Sequence, residues 1–150
     1  MSVKVLSVSY TSVAMATEGE PHIFEGDVHV FVNVLKSDVL LKLLFNIKSG
    51  FKCDGASIPL AFRWFLPSWD DKNFVYNLGS AVHDGLYIHK GFMMFTREEC
   101  DDILRGIWRE SGISRFKAGV ADKAVQLFAG GKKHWGNDSY GVGKYFTMEF

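Results

Sequence analysis

The chain has only two cysteines and three prolines, and its charges cancel, with 17 Lys and Arg against 17 Asp and Glu. Each shortage excludes something. Two cysteines, Cys53 and Cys100, cannot build a disulfide framework, and reduced thiols are the default for a protein made in a cytosol. Zero net charge removes the basic footprint that nonspecific nucleic-acid binding requires, so no nucleic-acid partner is expected. It also provides little colloidal repulsion, which favours self-assembly. The apolar run Val39-Leu40-Leu41-Lys42-Leu43-Leu44-Phe45 is too short for a membrane span and carries Lys42. The N-terminus lacks the basic-then-apolar plan of a signal peptide, which predicts no secretory leader. Zinc-protease, paired CxxC, P-loop and GxSxG patterns are all absent.

What the chain has in quantity is aromatic area: 13 Phe, five Tyr and four Trp. That much ring surface fills a core or forms an assembly surface. A length of 150 residues suits one domain over 1–150.

Residues 1–50 read as mainly β. Val3, Val5 and Val8 nearly alternate with Ser and Lys. Val28, Val30, Val32 and Val34 alternate strictly with His29, Phe31 and Asn33, the period-two pattern of a strand. Lys36-Ser37-Asp38 joins that run to residues 39–47, which predicts a hairpin. Residues 51–72 are a motif loop holding the aromatic cluster Phe62, Trp64, Phe65 and Trp69. Helices follow over 73–130. Phe74, Val75, Leu78, Ala81, Val82 and Leu86 make a helical stripe over 73–89, with Gly91 as its C-terminal cap. Thr96-Arg97-Glu98-Glu99 matches a capping box that opens a helix running to Glu110 and stopping at Gly112. Ser114 caps a third helix over 115–128. Residues 131–150 are a Gly and aromatic tail suited to packing on its own domain or on a neighbour. The expected fold is α+β, an N-terminal antiparallel sheet packed on a C-terminal three-helix unit.

The candidate chemistry lies in Val82-His83-Asp84-Gly85-Leu86-Tyr87. On a helix, His83 has Gly79, Ser80 and Tyr87 as neighbours, and the two small ones leave room beside the imidazole. The short connection over 88–95 folds the next helix back antiparallel, which brings Asp101 within reach of His83. A carboxylate on one ring nitrogen fixes the tautomer and raises the basicity of the other, the arrangement of an oriented general base. Asp84 projects about a quarter-turn away and suits a hard cation, with Asp54 or backbone carbonyls as co-ligands. A plainer reading stands beside this one. His83 and Asp101 stitch two helices together, and Asp101 is also favoured by the helix dipole. Asp54 and Ser57, in Asp54-Gly55-Ala56-Ser57, likewise suit turn chemistry. Cys53 as a nucleophile with His83 as its base is a further option, but nothing in the sequence marks that thiol as activated.

Three motifs carry a resemblance. Gly50-Phe51-Lys52-Cys53-Asp54-Gly55-Ala56-Ser57-Ile58-Pro59 resembles a GF-x-TD-GASVP motif. Ala81-Val82-His83-Asp84-Gly85-Leu86-Tyr87 resembles A-x-HD-x-LY, and Thr96-Arg97-Glu98-Glu99-Cys100-Asp101 resembles SR-x-EAD. Together, over residues 51–135, they are similar to a family of short bacteriophage and prophage proteins with a domain of unknown function. Cys53 and Cys100 stand where Thr and Ala are usual, which argues further against catalytic cysteines. The resemblance implies a phage origin and a role in the virion, or near lysis and host entry. His83, Asp84, Tyr87 and Asp101 are also similar to the helix pair of secretory phospholipases. That likeness implies His83 as general base, Asp84 as a calcium ligand and Asp101 as the group that orients His83. The glycine-rich calcium loop and the disulfides of those enzymes are missing.

The expected function is a phage-encoded, virion- or lysis-associated protein with a His/Asp hydrolase-like site acting on lipid or cell-envelope material. His83 and Asp101 are its catalytic pair. Asp84 and Asp54 bind a divalent metal, calcium before others. Ser57, Tyr87 and Ser80 support the site. The competing expectation is a non-catalytic structural or adaptor component of the particle, with other phage proteins or further copies of itself as partners. An inhibitor of host defence in the infected cytoplasm is a third class, which no residue selects. The chain is expected to be made in the host cytoplasm, whether or not it enters a virion.

Overall fold

The structure is a computed structural model and describes residues 3–11, 21–53, 69–70, 72–113, 117, 120 and 135–150. The alternating valines form the sheet as expected. Strand β3 (Val28–Lys36) buries Val28, Val30, Val32 and Val34 on one face and pairs antiparallel with β4 (Val39–Ile47). The hairpin turns on Ser37 and Asp38, both at positive φ (51° and 63°), the twist that a two-residue hairpin needs.

Strand β1 (Val3–Tyr10) pairs antiparallel with β3, with a break in register between Val5 and Ser7. That bulge explains the imperfect valine alternation: one extra residue shifts the phase, so Val3, Val5 and Val8 all face inward. Two short strands, β2 (His22–Ile23) and β5 (Lys52–Cys53), pair with each other. The tail packs on its own domain, where Phe146–Glu149 forms β6 on the free edge of β4. The order is β1-β3-β4-β6.

Two α-helices cover the inner face. Helix α1 (Phe74–Ile88) starts at Asn73, whose side chain accepts from the Tyr76 amide. Helix α2 (Arg97–Glu110) starts at Thr96 with the full capping box, Thr96 Oγ1 accepting from Glu99 N and Glu99 Oε1 from Thr96 N. Two of the three expected helices, α1 and α2, stand complete among the described residues. Apart from Lys117 and Val120, the segment 115–128 lies outside them. The expected cap also shifts: α1 ends at His89, and Gly91 lies in the next turn, where Lys90, Gly91, Phe92 and Met93 all have positive φ.

Glycines set how close the helices come. Gly106 of α2 faces Val5 of β1, and Gly85 of α1 faces the Phe146 ring of β6. A β-carbon at either position would collide with the side chain opposite. The helices thus rest on the two edge strands, over a core that includes Val30, Phe45, Phe51, Leu78 and Ile107. At the far end Lys36 donates to the Met94 carbonyl and lies 3.4 Å from Glu99 Oε1, tying β3 to the start of α2.

Two predictions follow from this packing. Alanine at Gly85 gains about 1 kcal/mol in helix propensity, but it must displace Phe146 at a cost of about 1–3 kcal/mol. A net loss is expected in urea unfolding, and a stabilised variant would contradict the packing. Burial raises the Glu99 carboxyl pKa, but the Thr96 amide and the Lys36 ammonium outweigh it and hold it below the ordinary value. A group with a lowered folded pKa stabilises above the ordinary carboxylate range and loses that contribution as pH falls through it. Glu99→Gln keeps the cap but not the charge. It is expected to be less stable at neutral pH and to converge with the parent in acid, as read by melting temperature against pH.

Candidate functional site

The residues Tyr76, Ser80, His83 and Tyr87 recur along one face of α1 at intervals of three and four. Asp101 and Trp108, seven apart, share one face of α2. The turn after α1 reverses the chain, so these faces meet antiparallel. Tyr76 stacks on Trp108 at 4.9 Å at one end of the seam, and His83 meets Asp101 at the other.

The contact at Asp101 is a convergence on one oxygen. His83 Nε2 and the Tyr87 hydroxyl each lie 2.7 Å from Asp101 Oδ1. A carboxylate only accepts, so Nε2 carries its proton toward Asp101 and Nδ1 is the basic nitrogen. No described residue hydrogen-bonds Nδ1. His83 is 7% exposed, and the Asp101 side chain is 18% exposed.

Burial, then the bond to Asp101 and its charge, push the Tyr87 phenol far above the ordinary tyrosine range. Tyr87 therefore stays a donor at any working pH. Its ring lies against His83 (4.3 Å) and takes the edge of Trp135 (5.1 Å), while its carbonyl accepts from the Gly136 amide.

The other expected residues are distributed as follows. Asp84 follows His83 on α1 and is half-buried. Asp54 and Ser57 lie outside the described residues. Among the described residues no group of three His, Cys, Asp or Glu side chains is placed to hold a metal. Ser80 is buried, with its hydroxyl unpartnered among the described residues. Cys53 is buried opposite His22 in the β2–β5 pair, and His22 stacks on Trp69. Burial first, then neighbouring carboxylates, push the Cys100 thiol well up, which keeps it protonated and inert. Asp102 pairs with Arg105 one turn on, yet burial dominates and raises its carboxyl.

The sequence reading missed Trp108 and Trp135. Trp108 was legible as the residue two turns beyond Asp101 on the same face. Trp135 reaches the site from the tail, and no local pattern signals that.

A family model described as a protein of unknown function (DUF1353) matches residues 33–125. No curated protein and no solved structure matches the chain. No helix among the described residues is long and apolar enough to cross a membrane.

Removing the shared acceptor separates the two bonds. Asp101→Ala strands two donors and is expected to cost about 2–4 kcal/mol, whereas Tyr87→Phe removes one neutral bond and costs about 1 kcal/mol. Chemical denaturation at pH 7 reads both. Equal small losses would mean that Asp101 does not organise the seam.

Proposed function

We propose that this chain, which belongs to the DUF1353 family of proteins of unknown function, is a hydrolase of the His/Asp type that cleaves esters of lipid or cell-envelope material. One observation carries the reading: a single carboxylate oxygen anchors both His83 Nε2 and Tyr87 OH, which leaves His83 Nδ1 as a fixed, uncommitted base. Asp101 holds the imidazole in one tautomer and stabilises the imidazolium that forms when Nδ1 takes a proton. Tyr87 fixes the carboxylate in turn. With little of His83 exposed, the base is sheltered from bulk water, which strengthens the charge interactions around it.

The proposal extends to a divalent cation, calcium before others, on Asp84 and Asp54. Asp84 adjoins the base, and β5, which ends one residue before Asp54, packs against α1. When bound, such an ion would polarise the ester carbonyl. The origin proposed is a phage or prophage, with the protein acting in the virion, at host entry or at lysis.

A second reading, a non-catalytic structural or adaptor component of the particle, is favoured by a different observation. Leu6, Phe31 and Leu40 are exposed on the strands, an apolar surface beyond the core.

The test is hydrolysis of chromogenic carboxylic esters and of phospholipid vesicles, with calcium and with a chelator. Under the hydrolase reading, His83→Asn slows turnover by about 10²–10⁴-fold, and chelation slows the parent. Absence of turnover on every substrate, or a His83→Asn variant as fast as the parent, retires the enzyme and leaves the particle component.

A further inference from the structure

The four-stranded sheet has two faces, and the helices cover the one that buries the valines. The opposite face carries the residues between those valines. Across β3 and β4 they are Phe31 beside Leu44, Asn33 beside Lys42 and Leu35 beside Leu40. Residues paired across an antiparallel ladder point to the same side, so each pair is a rung of the outer face. Two of these rungs are apolar, and the one between them is polar. Phe31 is 42% exposed and Leu40 50%, with Leu35 and Leu44 half-buried beside them. A sheet face that meets only water is ordinarily polar, so apolar rungs on its two central strands mark a contact surface.

The chemistry of the face narrows its occupant. The rungs Ser7–Asn33–Lys42 and His29–Asn46–Thr147 are polar, and a lipid interior would strip them of hydrogen-bond partners. Charge is sparse and mixed, Lys4 and Lys42 against Glu149, so the face draws neither a polyanion nor a polycation. What fits is a second sheet of the same twist, which packs about 10 Å away with its strands nearly aligned.

A second copy of the chain supplies that sheet with its rungs matched. A two-fold axis along the strands, midway between β3 and β4, lays β3 of one copy on β4 of the other and keeps every rung at its own height. Phe31 then meets Leu44 of the second copy, Leu35 meets Leu40, and Asn33 meets Lys42. Each contact occurs twice, as an isologous interface requires. Apolar rungs close on apolar rungs, and Lys42 faces an amide rather than another lysine. Among the described residues β6 pairs only with Leu44–Ile47, so the edge of β4 is open beside Lys42. Its ammonium reaches water there while its stem stays in the contact. Four strands about 4.8 Å apart, with central strands of nine residues at about 3.4 Å each, give a flat footprint of roughly 500 Å² per copy. The pair then buries about 1,000 Å², the size at which a specific interface begins.

We propose that this chain forms a two-fold dimer through the outer face of its sheet, with Phe31–Leu44 and Leu35–Leu40 as its apolar rungs. The helices and Asp101 lie on the other side of the sheet, so the dimer is independent of the hydrolase reading.

Sedimentation equilibrium of the full chain over a wide range of concentration tests this. The parent is expected at twice the chain mass. Phe31→Lys and Leu40→Lys each place a charge where one copy is open to water and the dimer is closed. Each is expected to weaken association about a hundredfold or more, because the charge is buried without a partner, while circular dichroism stays that of the parent. Leu44→Glu is expected to do the same. Mixing Phe31→Lys with Leu44→Glu is expected to restore a dimer, since lysine meets glutamate at one contact and Phe31 meets Leu44 at the other. Leu40→Lys stands at the hairpin end, so it decides the case if either other variant fails to fold. A parent that is monomeric at every concentration overturns the proposal. A dimer that survives Phe31→Lys and Leu40→Lys also overturns it, because its copies meet elsewhere. Folded single variants whose mixture stays monomeric overturn the two-fold pairing of the rungs.

Discussion

The close antiparallel approach of α1 and α2 is the constraint on which the rest of the structure depends. Three fastenings along the seam hold it. At the N-terminus of α1, Asn73 caps its own helix and donates 3.1 Å to the Ser111 carbonyl at the end of α2. In the middle, Gly79 lets the edge of the Trp108 indole approach α1 closely. At the far end, Asp101 Oδ1 takes two hydrogen bonds from α1. The two outer fastenings are polar and directional, and the central one is steric. Together they fix the separation and the register of the helices.

The sheet follows from that pair. Because α2 presents Gly106 to β1 and α1 presents Gly85 to β6, the two helices reach both edges of a four-stranded sheet. The valines of β3 then lie beneath the seam, closed off from water on that face. The same geometry makes the chemistry. His83 stands between the Asp101 carboxylate and the Tyr87 ring, with Nε2 committed to Asp101. The site needs no loop to position it among the described residues, since every group at its centre stands on a helix whose rotamers are locked by packing.

Legibility varied with how local the cause was. The β3–β4 hairpin, both helix starts and the capping box were readable, since alternation and cap residues act over a few positions. The bulge in β1 was present as an irregular valine spacing whose meaning appeared only against its partner strand. The β2–β5 pair and β6 were not readable. Two-residue strands carry no period, and Phe146–Glu149 becomes a strand because β4 has a free edge. At the site, the meeting of His83 and Asp101 was accessible from helix spacing and the short connection. Tyr87 could be placed on the right face but not aimed at Asp101. Trp108 was legible only as a neighbour of Asp101 on the same face of α2, and Trp135 was invisible, since it depends on where the tail docks.

By itself the sequence determined the mixed architecture, the helical stripe of α1, the capping box of α2 and the identity of a His/Asp pair on facing helices, because propensity, capping and periodicity are short-range. Only the tertiary structure decided that one oxygen of Asp101 serves both His83 and Tyr87 and that Ser80 Oγ and Trp108 Nε1 are buried without a partner among the described residues. The edges on which α1 and α2 rest were decided at the same level. These outcomes depend on ångström-scale approach between segments far apart in the chain. That approach is set by which small residues face which large ones, a relation that no single stretch of sequence contains.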